Sequence, residues 1–302
     1  MWLLFAFAGP VFWAVSTHID KYLVERFFRD SDTAVLMVFT ALIGVVMLPV
    51  IWYFNMGVFA LRFADIAVMG ISGVCYMGAM LFYLRAIQSE EASVVAPLFQ
   101  TSTLFTFLLA YIFLHEILGL RQIAGGALIF GGALVLSFDP TRGFRRFKGK
   151  LVLLMLAATF VMSASSVLFK YFAVRDDFWI TTFWINAGEA VFGLGILAVP
   201  RYGRQFVDLF RANPGAILAI NGANELINLG GGLAVRYASL LAPVALVSAI
   251  SSTTTLFVFA IGILLAIFFP KLSRESLTAR DLFQKGAGAV LVAIGVALVD
   301  LK

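Results

Sequence analysis

TAVLMVFTALIGVVMLPVIWYF, residues 33–54, is a run of 22 residues without one charged side chain. At about 1.5 Å of rise per residue it is long enough to cross about 30 Å of hydrocarbon as a single α-helix. It lacks the alternation of apolar and polar side chains that marks a barrel strand. Nine further apolar runs flank it. The first five are Trp2 to Leu23, Thr33 to Phe54, Asp65 to Leu84, Ala92 to Leu114 and Gln122 to Phe138. The second five are Lys150 to Phe172, Ile180 to Val199, Pro214 to Val235, Ala242 to Phe269 and Phe283 to Val299. They predict an all-α integral membrane protein of ten transmembrane helices.

Composition agrees. Of 302 residues 62% are hydrophobic and 13% charged, against roughly half and a quarter in soluble domains. The net charge of +5 does not indicate nucleic acid. The basic residues lie in short connections between apolar runs, as in a multi-pass protein of the plasma membrane, where cytoplasmic loops collect Lys and Arg. One cysteine, Cys75, and two histidines, His18 and His115, cannot form a Cys/His zinc site. No metal or cofactor is expected. The first run has no basic residue ahead of it and reads as a retained helix rather than a cleaved signal.

The chain compares with itself. Lys21-Tyr22 aligns with Lys170-Tyr171, while Gly44, Pro49 and Arg85 align 151 residues later with Gly195, Pro200 and Arg236. Gly125 and Gly132 align with Gly288 and Gly295 at a spacing of 163, the difference falling around Pro270 to Leu282. Residues 1–139 and 150–302 are therefore expected to be two repeats. Each has five helices, an odd number, so the second enters the membrane from the opposite side as an inverted repeat. Connections 1–2, 3–4, 5–6, 7–8 and 9–10 carry most of the Arg and Lys, which predicts both termini outside the cytoplasm. That count places Lys170, Arg175 and Arg236 on the opposite, outer side.

The stretch Ala92-Ser93-Val94-Val95-Ala96-Pro97, then Phe113-Leu114-His115-Glu116, then Gln122-x-x-Gly125-x-x-Leu128-Ile129-x-x-Gly132 resembles the second half of an EamA-type domain. The tail of the second repeat, Gly288-x-x-Leu291-Val292-x-x-Gly295, keeps the same spacing. The resemblance, to tandem EamA permeases of the drug/metabolite transporter superfamily, implies a central cavity between the repeats and alternating access. It departs at Ile267, which stands where the first repeat has Glu116. Family members are usually described with cytoplasmic termini, against the charge count.

Ionisable side chains deep in a membrane are costly, which ranks the candidate site residues. Glu225 follows Pro214 by eleven residues and Glu189 follows Ile180 by nine, depths of about 16 and 13 Å. Asn221, Glu225 and Asn228 share a helix face, with Asn224 one step round, and Asn186 lies three residues before Glu189. Such a stripe points to a carboxylate that takes a proton or a cationic group, or to neutral, hydrogen-bonded glue between helices. His18 is a candidate relay. Lys21 and Lys170 are candidates for the two mouths, with Asp20 or Glu25 neutralising Lys21. Gln100 and Ser252 stand for hydroxyl- and amide-rich stretches of the fourth and ninth helices, where Pro97 and Pro243 are candidate breaks. Trp13, Tyr76, Tyr83 and Trp184 are candidates for an aromatic cage. Gly125, Gly126, Gly131 and Gly132, with Gly286, Gly288 and Gly295, suit close packing, and a homodimer through the fifth and tenth helices is expected.

These readings predict a secondary transporter of a small polar metabolite, an amine, amino acid or drug-like cation, coupled to protons. An uptake carrier for a quaternary ammonium compound and a flippase for an amphiphilic or lipid-linked molecule are the alternatives. No G-x-S-x-G, H-E-x-x-H or P-loop is present, which argues against an intramembrane hydrolase or a nucleotide-driven pump.

Overall fold

The computed structural model describes residues 1–27, 32–89, 98–137, 149–268 and 279–300. Among these residues there is no strand. The first repeat supplies α1 (Trp2–Arg26), α2 (Thr33–Phe54), α3 (Phe63–Ser89), α4 (Thr101–Leu114) and α5 (Leu120–Ser137). The second supplies α6 (Gly149–Arg175), α7 (Phe178–Ala198), α8 (Pro200–Ala212), α9 (Gly222–Leu241), α10 (Val244–Ser251), α11 (Thr254–Phe268) and α12 (Ala279–Asp300).

Six spans are long and apolar enough to cross a membrane by length and composition, α10 and α11 together forming one of them. Shorter apolar helices lie in α4, α5 and α12. The tenth, α9, belongs to neither group. It carries Asn224, Glu225, Asn228 and Arg236, and it is held inside the bundle by packing along α1. A helix this polar needs protein on most sides, because lipid satisfies none of its side chains.

Packing between helices is reciprocal for most of the large pairs. Where α1 packs on α9, the corresponding α6 packs on α3; where α4 packs on α6, the α10–α11 span packs on α1. The contacts of α2 with α7 and α5 with α12 join corresponding helices, while the extensive contact of α3 with α7 has only a slight counterpart between α9 and α2. The α5–α12 seam carries the same signature atom by atom. A Cβ on Gly125 would lie 2.7 Å from the Gly295 carbonyl oxygen, and one on Gly132 would lie 2.7 Å from that of Gly288. Since Gly125 and Gly132 are the counterparts of Gly288 and Gly295, this crossing is its own image under exchange of the repeats. The glycine faces are thus spent within one chain.

The helix ends gather as the odd and even connections require. At one end Asp32, whose side chain caps α2 by accepting from the Ala34 amide, sits 3.8 Å from Arg85 and 4.0 Å from Arg201. At the other, Asp65 on α3 is 2.9 Å from Arg175 at the end of α6, and Asn55 donates to Asp177, the N-cap of α7.

Three expectations change. Connection 7–8 is not a loop but the amphipathic helix α8. It starts at Pro200, where the missing N–H costs nothing, and its Leu209 and Phe206 pack with Leu23, Val35 and Phe39. The eighth helix does not stop at Val235 but runs to Leu241. Pro243 does not break the ninth helix; it is the N-cap of α10, and the break falls later, at Ser252 and Thr253. Pro97 lies outside the described residues.

Candidate functional site

Polar chemistry inside the bundle concentrates on α9. A π turn at Ile217–Asn221 leads into that helix, an irregularity that recurs at functional sites. Its next residues diverge onto two neighbours. Asn224 faces α1, where its Nδ2 donates to Asp20 Oδ1 at 2.6 Å. Glu225 faces α2, where Thr40 Oγ1 donates to its Oε1 at 3.0 Å. Asn228, one turn on, hydrogen-bonds the same carboxylate. Ser16, one turn before Asp20, donates to its other oxygen at 3.5 Å. Asn224 and Asn221 are buried, and Asn224 Oδ1 is buried without a hydrogen-bond partner. Neither Asp20 nor Glu225 has an ion pair among the described residues. The two acids share one polar site, with hydroxyl and amide donors in place of a cation.

Asp20 therefore does not neutralise Lys21. Successive helical positions point about 100° apart, and Lys21 is exposed while Asp20 turns inward to Asn224. The side chain of Glu25 lies outside what is described.

Glu189 has a different environment. Arg236 Nη2 donates to its Oε1 at 2.9 Å, and Arg236 Nη1 donates to Asn186 Oδ1 at 2.9 Å. The Phe169 ring flanks the guanidinium, 5.4 Å from Cζ to the centroid. Glu189 is thus half of a charge-paired group between α7 and α9. The expectation that Arg236 sits in an outer connection is corrected: it is inside the last turns of α9, and pairing with Glu189 is what lets the helix continue through it. The signal was present in the sequence as an acid and a base on different helices, but no spacing along the chain relates them.

Residues 1–138 match the model of the EamA-like transporter family. That stretch is similar to an EamA-like transporter domain. With the apolar helices this match indicates a multi-pass membrane protein, and it is consistent with the drug/metabolite transporter superfamily. A crystal structure of a protein 17% identical in sequence superimposes with a TM-score of 0.67, covering 98% of this chain and 95% of that one. At that identity the likeness speaks for the fold. Curated proteins give no match.

The EamA domain also supplies the place of Glu116, which follows a left-handed residue, His115 (φ 53°). That reversal points the Glu116 carboxylate across the repeats. It accepts from the Val244 amide at 2.9 Å, at the N-terminus of α10, and from Lys170 Nζ at 2.6 Å. Lys170 also donates to the Ala242 carbonyl at 2.6 Å. Lys170, counted with the outer connections, is instead inside α6 in this bracket. Lys21, its counterpart, has no such acid among the described residues, and Ile267 stands where the first repeat has Glu116.

The remaining expected site residues scatter. The His18 imidazole bonds through Nε2 to the Val258 carbonyl at 2.9 Å, tying α1 to α11. Gln100 is buried at the start of α4, where its carbonyl accepts from the Thr103 amide at 3.0 Å. Ser252 sits in the helix break, its hydroxyl donating to the Ala249 carbonyl at 2.5 Å. The four aromatic candidates do not form one cage. Trp184 donates to the Val58 carbonyl, Tyr83 packs at a tilt on Phe99, and Tyr76 lies near Glu189 and Arg236.

Proposed function

We propose that the chain is a secondary transporter of a small polar metabolite bearing an amine, coupled to protons through Glu225 and Asp20 and working by alternating access. The observation that carries this reading is a pair of inward-facing acids at one site, Asp20 held by Asn224 and Glu225 held by Thr40, with no basic side chain paired to either among the described residues. Carrying two negative charges there is expensive, so the site favours uptake of a proton or a cation, and the occupant of one acid alters the cost of ionising the other. Glu189 does not compete for this role, because Arg236 already satisfies its charge. The interrupted helix at Ser252 and Thr253 and the interleaved packing of the repeats support a bundle able to rock between two arrangements.

The competing reading is that both acids stay protonated and glue α1, α2 and α9 together. The two readings part in proteoliposomes loaded with candidate amines and amino acids and subjected to an imposed pH gradient. On the transport reading, Glu225→Gln and Asp20→Asn each reduce gradient-driven accumulation at least tenfold while the protein remains monodisperse. Gradient-driven accumulation unchanged in both variants would remove these acids from the mechanism.

A further inference from the structure

Arg236 is the one inward-facing cation on α9, and proton transfer at Glu225 gives it no task. The two residues are eleven apart on the same helix, about 16 Å along its axis, and eleven residues bring them back to nearly the same face. Between them on that face is Gly232, where a Cβ would meet no atom within 4 Å. Space is therefore open at Gly232, one turn from Arg236 on the side toward Glu225.

We propose that Arg236, Glu189 and Asn186 form the recognition site for a substrate head group in which a carboxylate lies beside an ammonium. The proposal rests on the transport reading above and narrows its substrate class. The rear of the site is fixed: Asn186 is 2% exposed and holds Nη1. The front is reachable, since the Arg236 and Glu189 side chains keep 22% and 14% of their exposure. Arg236 has five N–H donors, and its Nε–H has no partner among the described residues. One face of the fork is thus free to accept a carboxylate.

Charge balance selects the ligand. An entering anion that displaced Glu189 from Arg236 would strand a carboxylate inside the bundle. An entering amine that took Glu189 would strand the guanidinium. Either leaves a desolvated charge without a partner. A head group carrying both charges on neighbouring atoms exchanges one internal ion pair for two, carboxylate to Arg236 and ammonium to Glu189, and strands neither. Arg suits the carboxylate half because its planar fork binds two oxygens at once. A quaternary ammonium compound without a carboxylate does not fit this site.

The test is counterflow in proteoliposomes with the common α-amino acids, each run against its decarboxylated amine and its carboxamide. At least one amino acid is expected to be carried at ten times or more the rate of its amine and amide. The neutral double variant Arg236→Gln/Glu189→Gln, checked for a monodisperse elution profile, is expected to bring that ratio below twofold. Arg236→Lys is expected to keep the preference at a reduced rate. Equal transport of amine, amide and parent, an unchanged ratio in the double variant, or no amino acid carried at all would each overturn the proposal. Glu225→Gln run in parallel separates the two readings. Loss of gradient dependence with the carboxylate preference absent in wild type defeats only the head-group site. A strong preference with no gradient effect defeats only the proton role.

Discussion

The side-chain amide of Asn224 donates to the Asp20 carboxylate at 2.6 Å, joining α9 to α1 one residue before Glu225 turns toward α2. A short bond from a buried donor to a carboxylate is among the stronger hydrogen bonds in proteins. Asn224→Leu is of similar size and removes the donor. It leaves Asp20 with Ser16 at 3.5 Å as its remaining partner. Leaving a buried polar group under-satisfied costs about 1–3 kcal/mol. Thermal unfolding in detergent is expected to fall by several degrees, and gradient-driven transport to fall with it. A stable variant with wild-type transport would show that Asn224 does not position the acid.

Lys170 and Glu116 make a second testable joint, this one structural. Both side chains are largely enclosed, and Glu116 serves as partner to Lys170 and as cap to α10. Removing one member of a buried pair costs about 3–5 kcal/mol. Lys170→Met is expected near the low end, because some solvent reaches the pair, which corresponds to a drop in Tm on the order of 6–10 °C. Lys170→Met combined with Glu116→Gln is expected to recover part of the loss, since no charge is left stranded and the amide oxygen still caps Val244. A double variant less stable than Lys170→Met alone would contradict this.

Much of the architecture was legible because it rests on local quantities. The length of the 33–54 run and its neighbours, and the parity of five helices per repeat, are read along the chain. Glu225 and Glu189 stood out by depth alone. Asp20 did not, because its importance comes from which face of α1 meets α9, and that angle is set by distant packing such as Gly9 against Gly231 and Val235. Arg236 was misplaced for the same reason. A charge near the end of an apolar run looks like a boundary until the opposite charge on another helix is known to face it. Its alignment with Arg85 also misled, since Arg85 lies at a helix end beside Tyr202 and Asp32. The two repeats place equivalent residues in unequal surroundings.

The seam between α5 and α12 predicts a contrast between adjacent glycines. A Cβ on Gly132 would lie 2.7 Å from the Gly288 carbonyl oxygen, whereas one on Gly131 meets nothing within 4 Å. The obstruction is backbone, which cannot rotate aside. Gly132→Leu is expected to force the helices apart, at the cost of about 1–3 kcal/mol typical of overpacking, and to lower the yield of monodisperse protein severalfold. Gly131→Leu is expected to behave like wild type. Size-exclusion of fluorescent fusions resolves the two. The same seam bears on the expected homodimer: because these glycine faces already meet inside one chain, a dimer through α5 and α12 has to use other faces.

Orientation gives a prediction independent of any substrate. Arg85, Arg201 and Tyr202 cluster around Asp32 at one end of the bundle, while Arg62 and Arg175 meet Asp65 at the other. The first end also carries Arg204 and Arg211 on α8 and Arg26 on α1, so it has the greater density of positive charge. Positive-rich ends stay in the cytoplasm. Arg62 is the outer reporter, its side chain 79% exposed, and Arg211 on α8 is the inner one. Cys75 is exposed on α3 and must first become serine to remove background labelling. In that background Arg62→Cys is expected to react with a membrane-impermeant maleimide on intact cells, and Arg211→Cys only after the membrane is opened. The reverse pattern would mean that charge does not set the topology here, and would place the Asp32 end, with both termini opposite, outside the cell.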